Sequence, residues 1–461
     1  MISLKMKSWY TELDHKHLWH PFTQMEEWLS EEPLVIERGE GSYLFDENGK
    51  RYIDATSSVW CVAHGHNHPH INKAIAEQLS KISHSTLLGL SNVPSIRLAE
   101  KLVSILPQGL TRIFYADSGA AAVEAALKMA VQYWALQGQT RTEFLSLANA
   151  YHGDTFGSMS VGFSETFHES FKQMVFKSHS FPTPYILAGT YSEGVCPNTF
   201  KEPATEAELQ SLLQVEQILK ENGDKIAACI VEPLVQGAAG IHPHSPQYLK
   251  KLYDLVKSYG VLFVADEVAV GFGRTGSMFA VEQAGIHPDF LCLGKALTGG
   301  YLPVSVTTTT EEVFNAFRGQ FSDFKHFFHG HTFTGNPLGC AAGIASLEIF
   351  EKEETLKKLK PKIEFLWRFL NERIAPLPHV REVRGRGFFA GIELGKSKTE
   401  SYPVEFRAGK KVTMAARKHG IILRPLLDTI VIAPPLNSSS ETLNLLLEGL
   451  LESIKVLGTG P

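Results

Sequence analysis

Residues 261–300 read VLFVADEVAVGFGRTGSMFAVEQAGIHPDFLCLGKALTGG, and this stretch decides the fold. Val261 to Ala265 is a short apolar run rich in β-branched residues that ends in two acids, Asp266 and Glu267. So short a run reads as a strand buried on both faces, as in a parallel sheet. Acids at its carboxyl end lie at the sheet edge where α/β enzymes bind ligands. A glycine-rich turn carrying Arg274 follows, and a second buried strand, Phe290 to Leu293, delivers Lys295 between Gly294 and Ala296. An acid and a lysine at two such strand ends can face one ligand. Pyridoxal phosphate requires that pair: the amine condenses with its aldehyde, and the carboxylate keeps its pyridine nitrogen protonated. A buried Asp–Lys ion pair would leave the same two residues.

The whole stretch is more specific than the pair. D-E-V-x-x-G-F-G-R-T-G followed by L-G-K-A-L-T-G-G resembles the class III (omega) aminotransferases of fold type I. The resemblance implies that Lys295 carries the cofactor and Asp266 binds its ring nitrogen. It also implies a large domain with a mostly parallel seven-stranded sheet and a smaller α+β domain. The boundaries expected are an arm and part of the small domain over 1–75, the large domain over 76–344, and the rest of the small domain over 345–461. Val270 stands where relatives usually have threonine.

Composition agrees with an enzyme of this size. Apolar residues make up 44% and charged residues 20% of 461, as in ordinary soluble domains. The net charge of −5 leaves no basic footprint for nucleic acid. Five scattered cysteines without C-x-x-C argue against a disulfide framework or structural zinc and for a reducing cytoplasm. The N-terminal stretch has no continuous apolar core, so no secretory signal is expected. No apolar run reaches the roughly 18 residues a membrane span needs.

Residues 14–30, DHKHLWHPFTQMEEWLS, read as a surface arm or lid, or more simply as an N-terminal strap packed by Trp19 and Trp28. Asn48-Gly49 between apolar runs signals a hairpin, because both residues tolerate positive φ. His64, His66, His68 and His70 alternate, but the intervening Gly65, Asn67 and Pro69 favour a turn over a metal-binding strand face. The segment resembles the family's G-H-x-H-P lead into the first helix of the large domain.

Residues 112–116 (RIFYA) form a strand leading into Asp117-Ser118-Gly119-Ala120 and a helix. Its apolar face is Val123, Ala126, Leu127, Ala130, Val131 and Trp134, with Glu124 and Lys128 paired on another side. A small-residue turn at a helix start offers free N–H groups to a phosphate, although Asp and Ser are also ordinary caps. The family match implies that Gly119 and Ala120 cradle the cofactor phosphate, Ala120 through its backbone alone, since relatives often have serine there. A strand over 143–147 leads to Tyr151, which the resemblance places over the cofactor face; packing would explain a tyrosine there equally well. Residues 163–225 show turns near Pro182, Pro184 and Pro197, a helix over about 205–222, and no legible chemistry. The strand 226–231 ends in Glu232, which either caps the next loop or, as the resemblance implies, lies near the cofactor or pairs with a substrate-binding arginine.

The loop HFFHGHTFTGNP (326–337) leads to a further helix. The resemblance has this loop cross a dimer interface, Thr332 binding phosphate in the other subunit's site beside His331 and Gly330. Beyond residue 345 a long polar helix broken by Pro361, a strand over 387–394, a helix over 412–419, and a final helix capped by Ser438 and Glu441 are expected. Arg424 ends a short apolar strand, where most arginines are merely solvated. The family's matching arginine grips the substrate carboxylate with a bidentate fork.

W-H-P-F-T-Q-M (19–25), Y-H-G-D-T-F-G and F-H-G-H-T-F-T-G-N narrow the resemblance to a branch that aminates 8-amino-7-oxononanoate in biotin synthesis. The implied donor is S-adenosylmethionine. Phe22 and Val59 stand where users of that donor often have Tyr and Trp, while Trp60 is kept; His331 replaces a frequent proline. SSVW followed by HSTLLG looks more like a branch that uses lysine as donor. Another omega-aminotransferase or an aminomutase of the same fold is the alternative.

Overall fold

The computed structural model describes residues 8–184 and 205–458. A central sheet is built from β1 (Leu110–Ala116), β2 (Glu143–Leu147), β3 (Ser178–Phe181), β4 (Ile226–Val231), β5 (Leu262–Asp266), β6 (Phe290–Leu293) and β7 (Ser305–Thr310). Its order is β1-β7-β6-β5-β4-β2-β3. Only β7 runs against its neighbours; the remaining pairings are parallel.

Every residue of β4, β5 and β6 is buried, and alternate residues feed two separate cores, as the pleat requires. Ala228, Ile230, Val264, Phe290 and Cys292 pack with α1 (Gly119–Leu136). Cys229, Val231, Phe263, Ala265 and Leu291 pack with α2 (Pro246–Ser258) on the other side. Asp266 continues the parity of Val264 and Glu267 the other, so two adjacent acids have different fates.

The N- and C-terminal segments share a small sheet. Strands Ile36–Glu40, Tyr43–Asp46 and Arg51–Asp54 are antiparallel, and Ile421–Ile422 adds in parallel to the last of them. A second small sheet joins Val380–Arg386, Phe389–Leu394, Thr429–Ile432 and Pro425–Leu426.

Several local expectations need correction. The hairpin forms, but only Gly49 takes positive φ; the Asp46 carboxylate instead accepts from the Asn48 and Lys50 N–H groups. Pro361 does not break its helix: α3 (Thr355–Phe369) runs through it, and the break comes at Glu354, whose φ is +50°. Pro361 and Lys357 are both exposed, so the carbonyl that loses its donor faces water. The last helix, Ser440–Ile454, is capped by Ser439; Ser438 turns inward to Ser42 and the Pro435 carbonyl. Its expected apolar face, Leu443, Leu446, Leu447, Leu450 and Ile454, is buried. Glu124 accepts from the Gly157 and Ser158 N–H groups rather than pairing with Lys128, which reaches His329.

In the N-terminal arm Trp28 donates to Asp14, and Glu27 pairs with Arg407 and Lys410. Trp19 is 89% exposed and packs nothing inward. The helix expected after residue 205 is Glu206–Asn222 with a Thr205 capping box. The turn expected near Pro197 lies outside the described residues.

Candidate active site

β5 places Asp266 level with Cys292 of the neighbouring β6. Lys295 follows three residues later, with φ at +42°. A lysine in this region is strained, and such residues cluster at functional sites. Its ammonium lies 4.8 Å from the centre of the Trp60 ring and makes no hydrogen bond or ion pair among the described residues. Burial pulls the Lys295 pKa down, opposed by the charges of Asp266 and Glu232. Asp266 is buried: Oδ1 accepts the Val268 N–H at 3.0 Å, and Oδ2 lies 2.7 Å from Nδ1 of His152.

Glu267, turned to the other face, accepts from the N–H groups of Ala280 and Val281 at 2.7 and 2.8 Å. Burial pushes its pKa to about 8. It locks the glycine-rich turn and has no access to the site. Glu232, at the end of β4, accepts from the N–H groups of Tyr151 and Gly237. Burial raises its pKa to about 7, with His152 pulling down and Asp266 pushing up. Glu232 thus caps the loop, and its charge is felt by Lys295.

Gly119 and Ala120 open α1, where the first N–H groups have no intrahelical acceptor. Ser118 caps the helix through Ala121. A Cβ on Gly119 would meet Val268 Cγ1 at 2.6 Å, and one on Gly153 would meet Ala120 at 2.3 Å. This helix start is thus pressed against the segments that carry Asp266 and Tyr151. The Tyr151 hydroxyl donates to Asp154, and burial raises its pKa.

Trp60 ends a turn that sequence reasoning missed. Ser57, Ser58, Val59 and Trp60 all have positive φ, between 47° and 70°. Left-handed geometry costs non-glycine residues about 1–2 kcal/mol each, so the surroundings must hold it. Trp60 is buried against Phe389, while Val59 is 41% exposed. Arg274, buried, donates to the Pro434 and Phe388 carbonyls and to Ser57, tying the glycine-rich turn to this one. Val270 is fully buried in the apolar core, where a methyl group suffices.

Arg424 is exposed, 6.0 Å from the centre of the Phe22 ring, and its charge is felt by Tyr151. Gly330 and Thr332 are exposed and His331 half-buried; their loop packs through Phe327 on Phe114, His329 on Lys128 and Phe333 on His84. None of the three touches Lys295 or Asp266 through a hydrogen bond among the described residues. His152 was missed in the sequence, although it adjoins Tyr151 in Y-H-G-D-T. The alternating histidines diverge: His64 meets Ser346, His66 meets Asp54, His68 meets Glu353 and His70 meets Glu348. Among the described residues no group could hold a metal ion.

A doubly wound sheet presenting a lysine without a hydrogen bond among the described residues, a buried aspartate and a helix N-terminus is the arrangement a lysine-dependent pyridoxal phosphate enzyme requires. The Aminotransferase class-III family model matches residues 25–454. The chain belongs to that family and is a pyridoxal phosphate-dependent aminotransferase.

It is 49% identical over 447 residues to the adenosylmethionine-8-amino-7-oxononanoate aminotransferase of Aquifex aeolicus (strain VF5), covering 96% of each chain. The crystal structure of the Methanocaldococcus jannaschii protein of that name superimposes with a TM-score of 0.90 at 43% identity, covering 97% of this chain and 98% of that one. A thermostable (S)-enantioselective omega-transaminase from Thermomicrobium roseum has a TM-score of 0.89 at 32% identity, over 97% of this chain and 98% of that one.

Proposed function

We propose that this chain aminates the ketone of 8-amino-7-oxononanoate to give 7,8-diaminononanoate in biotin synthesis. The observation that carries the chemistry is the Lys295 ammonium, held over Trp60 beside Asp266 without a hydrogen-bonding partner among the described residues. The choice of acceptor rests on full-length similarity to relatives bearing that activity in their name.

The residues fit pyridoxal phosphate. Bound there, the cofactor supplies an electron-withdrawing ring that stabilises negative charge on the carbon next to the transferred nitrogen. The first N–H groups of α1, at Gly119 and Ala120, bind its phosphate. Asp266, oriented by His152, keeps the proton on the pyridine nitrogen. The Lys295 Nζ would hold the cofactor between turnovers and, once free, would move a proton to and from the substrate carbon; burial lowers its pKa. Tyr151, its backbone N–H fixed by Glu232, would help hold the cofactor ring. Trp60 walls the site and excludes water. Arg424 grips the acceptor carboxylate.

Phe22, Val59, Trp60 and Gly330 would border the amino donor. S-adenosylmethionine is the donor this reading favours. The exposed Phe22 and Val59 lack the hydroxyl and indole usual in users of that donor, which favours lysine as the second reading.

The active form is proposed to be a homodimer with shared sites, His331 and Thr332 of each chain completing the other's phosphate site. Exposed Leu88, Phe321, Phe328 and Phe333 are the apolar surface such a partner would cover. The large and small domains are taken as 76–344 and the two flanking segments, which share the small sheet. A cytoplasmic location suits free cysteines and the lack, among the described residues, of a helix able to cross a membrane.

The test is amination of 8-amino-7-oxononanoate by the loaded enzyme, with S-adenosylmethionine and lysine as parallel donors, and complementation of a biotin auxotroph blocked at this step. Turnover of 4-aminobutyrate or ornithine with none of the keto acid would overturn the reading.

A further inference from the structure

The left-handed turn at 57–60, tied to Arg274 through Ser57, has a second charged anchor. Asp54, buried at the end of its strand, faces it with both carboxylate oxygens. Oδ1 accepts from the Thr56 N–H and hydroxyl at 3.2 and 3.4 Å. Oδ2 accepts from the Ser58 hydroxyl at 2.8 Å and from His66 Nε2 at 3.0 Å. The far side is pinned by the Ser57 hydroxyl on the Ala433 carbonyl at 2.7 Å, with Ala433 N–H returning to Ala55. Asp54 touches neither Lys295 nor Arg424, yet the turn it organises carries both Val59 and Trp60. Gly237 completes the seat: a Cβ there would lie 3.2 Å from the Trp60 ring.

We propose that Asp54 is a positioning residue that sets substrate specificity by holding Ser57–Trp60 in the left-handed turn. Resting on the aminotransferase reading above, it explains how a site wall without glycine keeps a backbone that glycine would adopt freely. If Asp54 relaxes, Val59 leaves the rim and Trp60 leaves Lys295. Lys295 and Asp266 stay in place, so recognition suffers before chemistry.

The strain supplies the test. Asp54→Asn removes the charge that Ser58 and His66 share, and Ser58→Gly added to it removes the penalty for positive φ at one turn residue. Expected for Asp54→Asn is a KM for donor and acceptor raised at least about tenfold, kcat within about threefold, and crystallographic φ values at 57–60 that leave the left-handed region. The double variant recovers most of the KM and the turn. If Asp54→Asn fails to fold, the single variants decide: Ser58→Ala loses the hydroxyl but keeps the strain, whereas Ser58→Gly loses both. KM then rises in the alanine variant and stays near wild type in the glycine variant. An Asp54→Asn crystal structure with the turn intact and KM unchanged, or alanine and glycine variants that behave alike, overturns the proposal. A wrong acceptor would show separately, as a wild-type enzyme inactive on 8-amino-7-oxononanoate; the φ values and the KM for the donor it does use would still decide the role of Asp54.

Discussion

His152 Nδ1 lies 2.7 Å from Asp266 Oδ2, and both side chains are buried. They come from the ends of β2 and β5, which are separated in the sheet by β4. With a carboxylate as acceptor, Nδ1 carries the proton, and the imidazole fixes the direction in which Asp266 presents its other lone pairs.

His152→Ala should therefore weaken the grip on the cofactor ring without touching it. A hydrogen bond to a charged group contributes about 1.5–3 kcal/mol, or roughly 10- to 150-fold. Titrating apoenzyme with pyridoxal phosphate measures it; an unchanged affinity and an unchanged kcat would refute the positioning role.

Lys295→Ala should abolish turnover by at least about 100- to 10,000-fold, the usual range for a lost acid–base group. The apoprotein should not lose stability, because the ammonium makes no hydrogen bond among the described residues. A lysine pKa depressed by burial means that the unfolded chain binds more protons. Its contribution to stability thus rises with pH toward the normal lysine value, and at neutral pH the variant should melt at or above wild type. Calorimetry of both apoproteins checks this.

Glu232 gives the opposite sign. Burial raises its pKa from 4.5 to about 7, so the folded state binds more protons. Its contribution is fully present below pH 4.5 and lost as pH rises through 7. Relative to wild type, Glu232→Gln should gain stability across that window, by on the order of 3 kcal/mol at the upper end. Denaturant midpoints of the two apoproteins at pH values from acid to alkaline will show whether the difference grows.

Gly119→Ala should drive a methyl into Val268 at the mouth of α1. Overpacking of this kind costs about 1–3 kcal/mol, and the displaced helix start should also hold phosphate less well. Val268→Ala in the same chain should restore cofactor affinity. Failure of that rescue, measured by equilibrium dialysis, would show that space is not the constraint.

Arg424→Ala should raise KM for the carboxylate-bearing acceptor about 10- to 100-fold with kcat nearly kept, the pattern of lost uniform binding. Arg424→Lys should recover little, since an ammonium cannot fork. Steady-state kinetics with the acceptor and with its carboxamide separate charge recognition from packing.

The chemistry was legible because it sits at the ends of buried strands. Apolar runs of four to six residues ending in Glu232, Asp266 and Lys295 can hardly be anything but parallel strands, and a strand's end is where its polar residue emerges. The helix start at Thr205 followed because its side chain caps its own backbone. Competing partners defeated the rest. Ser438 preferred Ser42 to its helix, and Glu124 preferred two distant N–H groups to Lys128.

By itself the sequence determined the strand cores and the family, because apolar periodicity and motif spacing carry that information, and the family resemblance singled out Lys295, Asp266 and Arg424 as candidates. Only the tertiary structure showed that Glu267 turns away into the glycine-rich turn, that His152 bonds Asp266, and that Ser57–Trp60 form a left-handed turn beside Asp54. The first two depend on contacts 13 and 114 residues apart, and the turn adds to its local bonds with Asp54 a reach of 12 residues to His66 and 376 to Ala433. No local propensity encodes such contacts, and the energy that holds a disfavoured backbone comes from its neighbours rather than from its own residues.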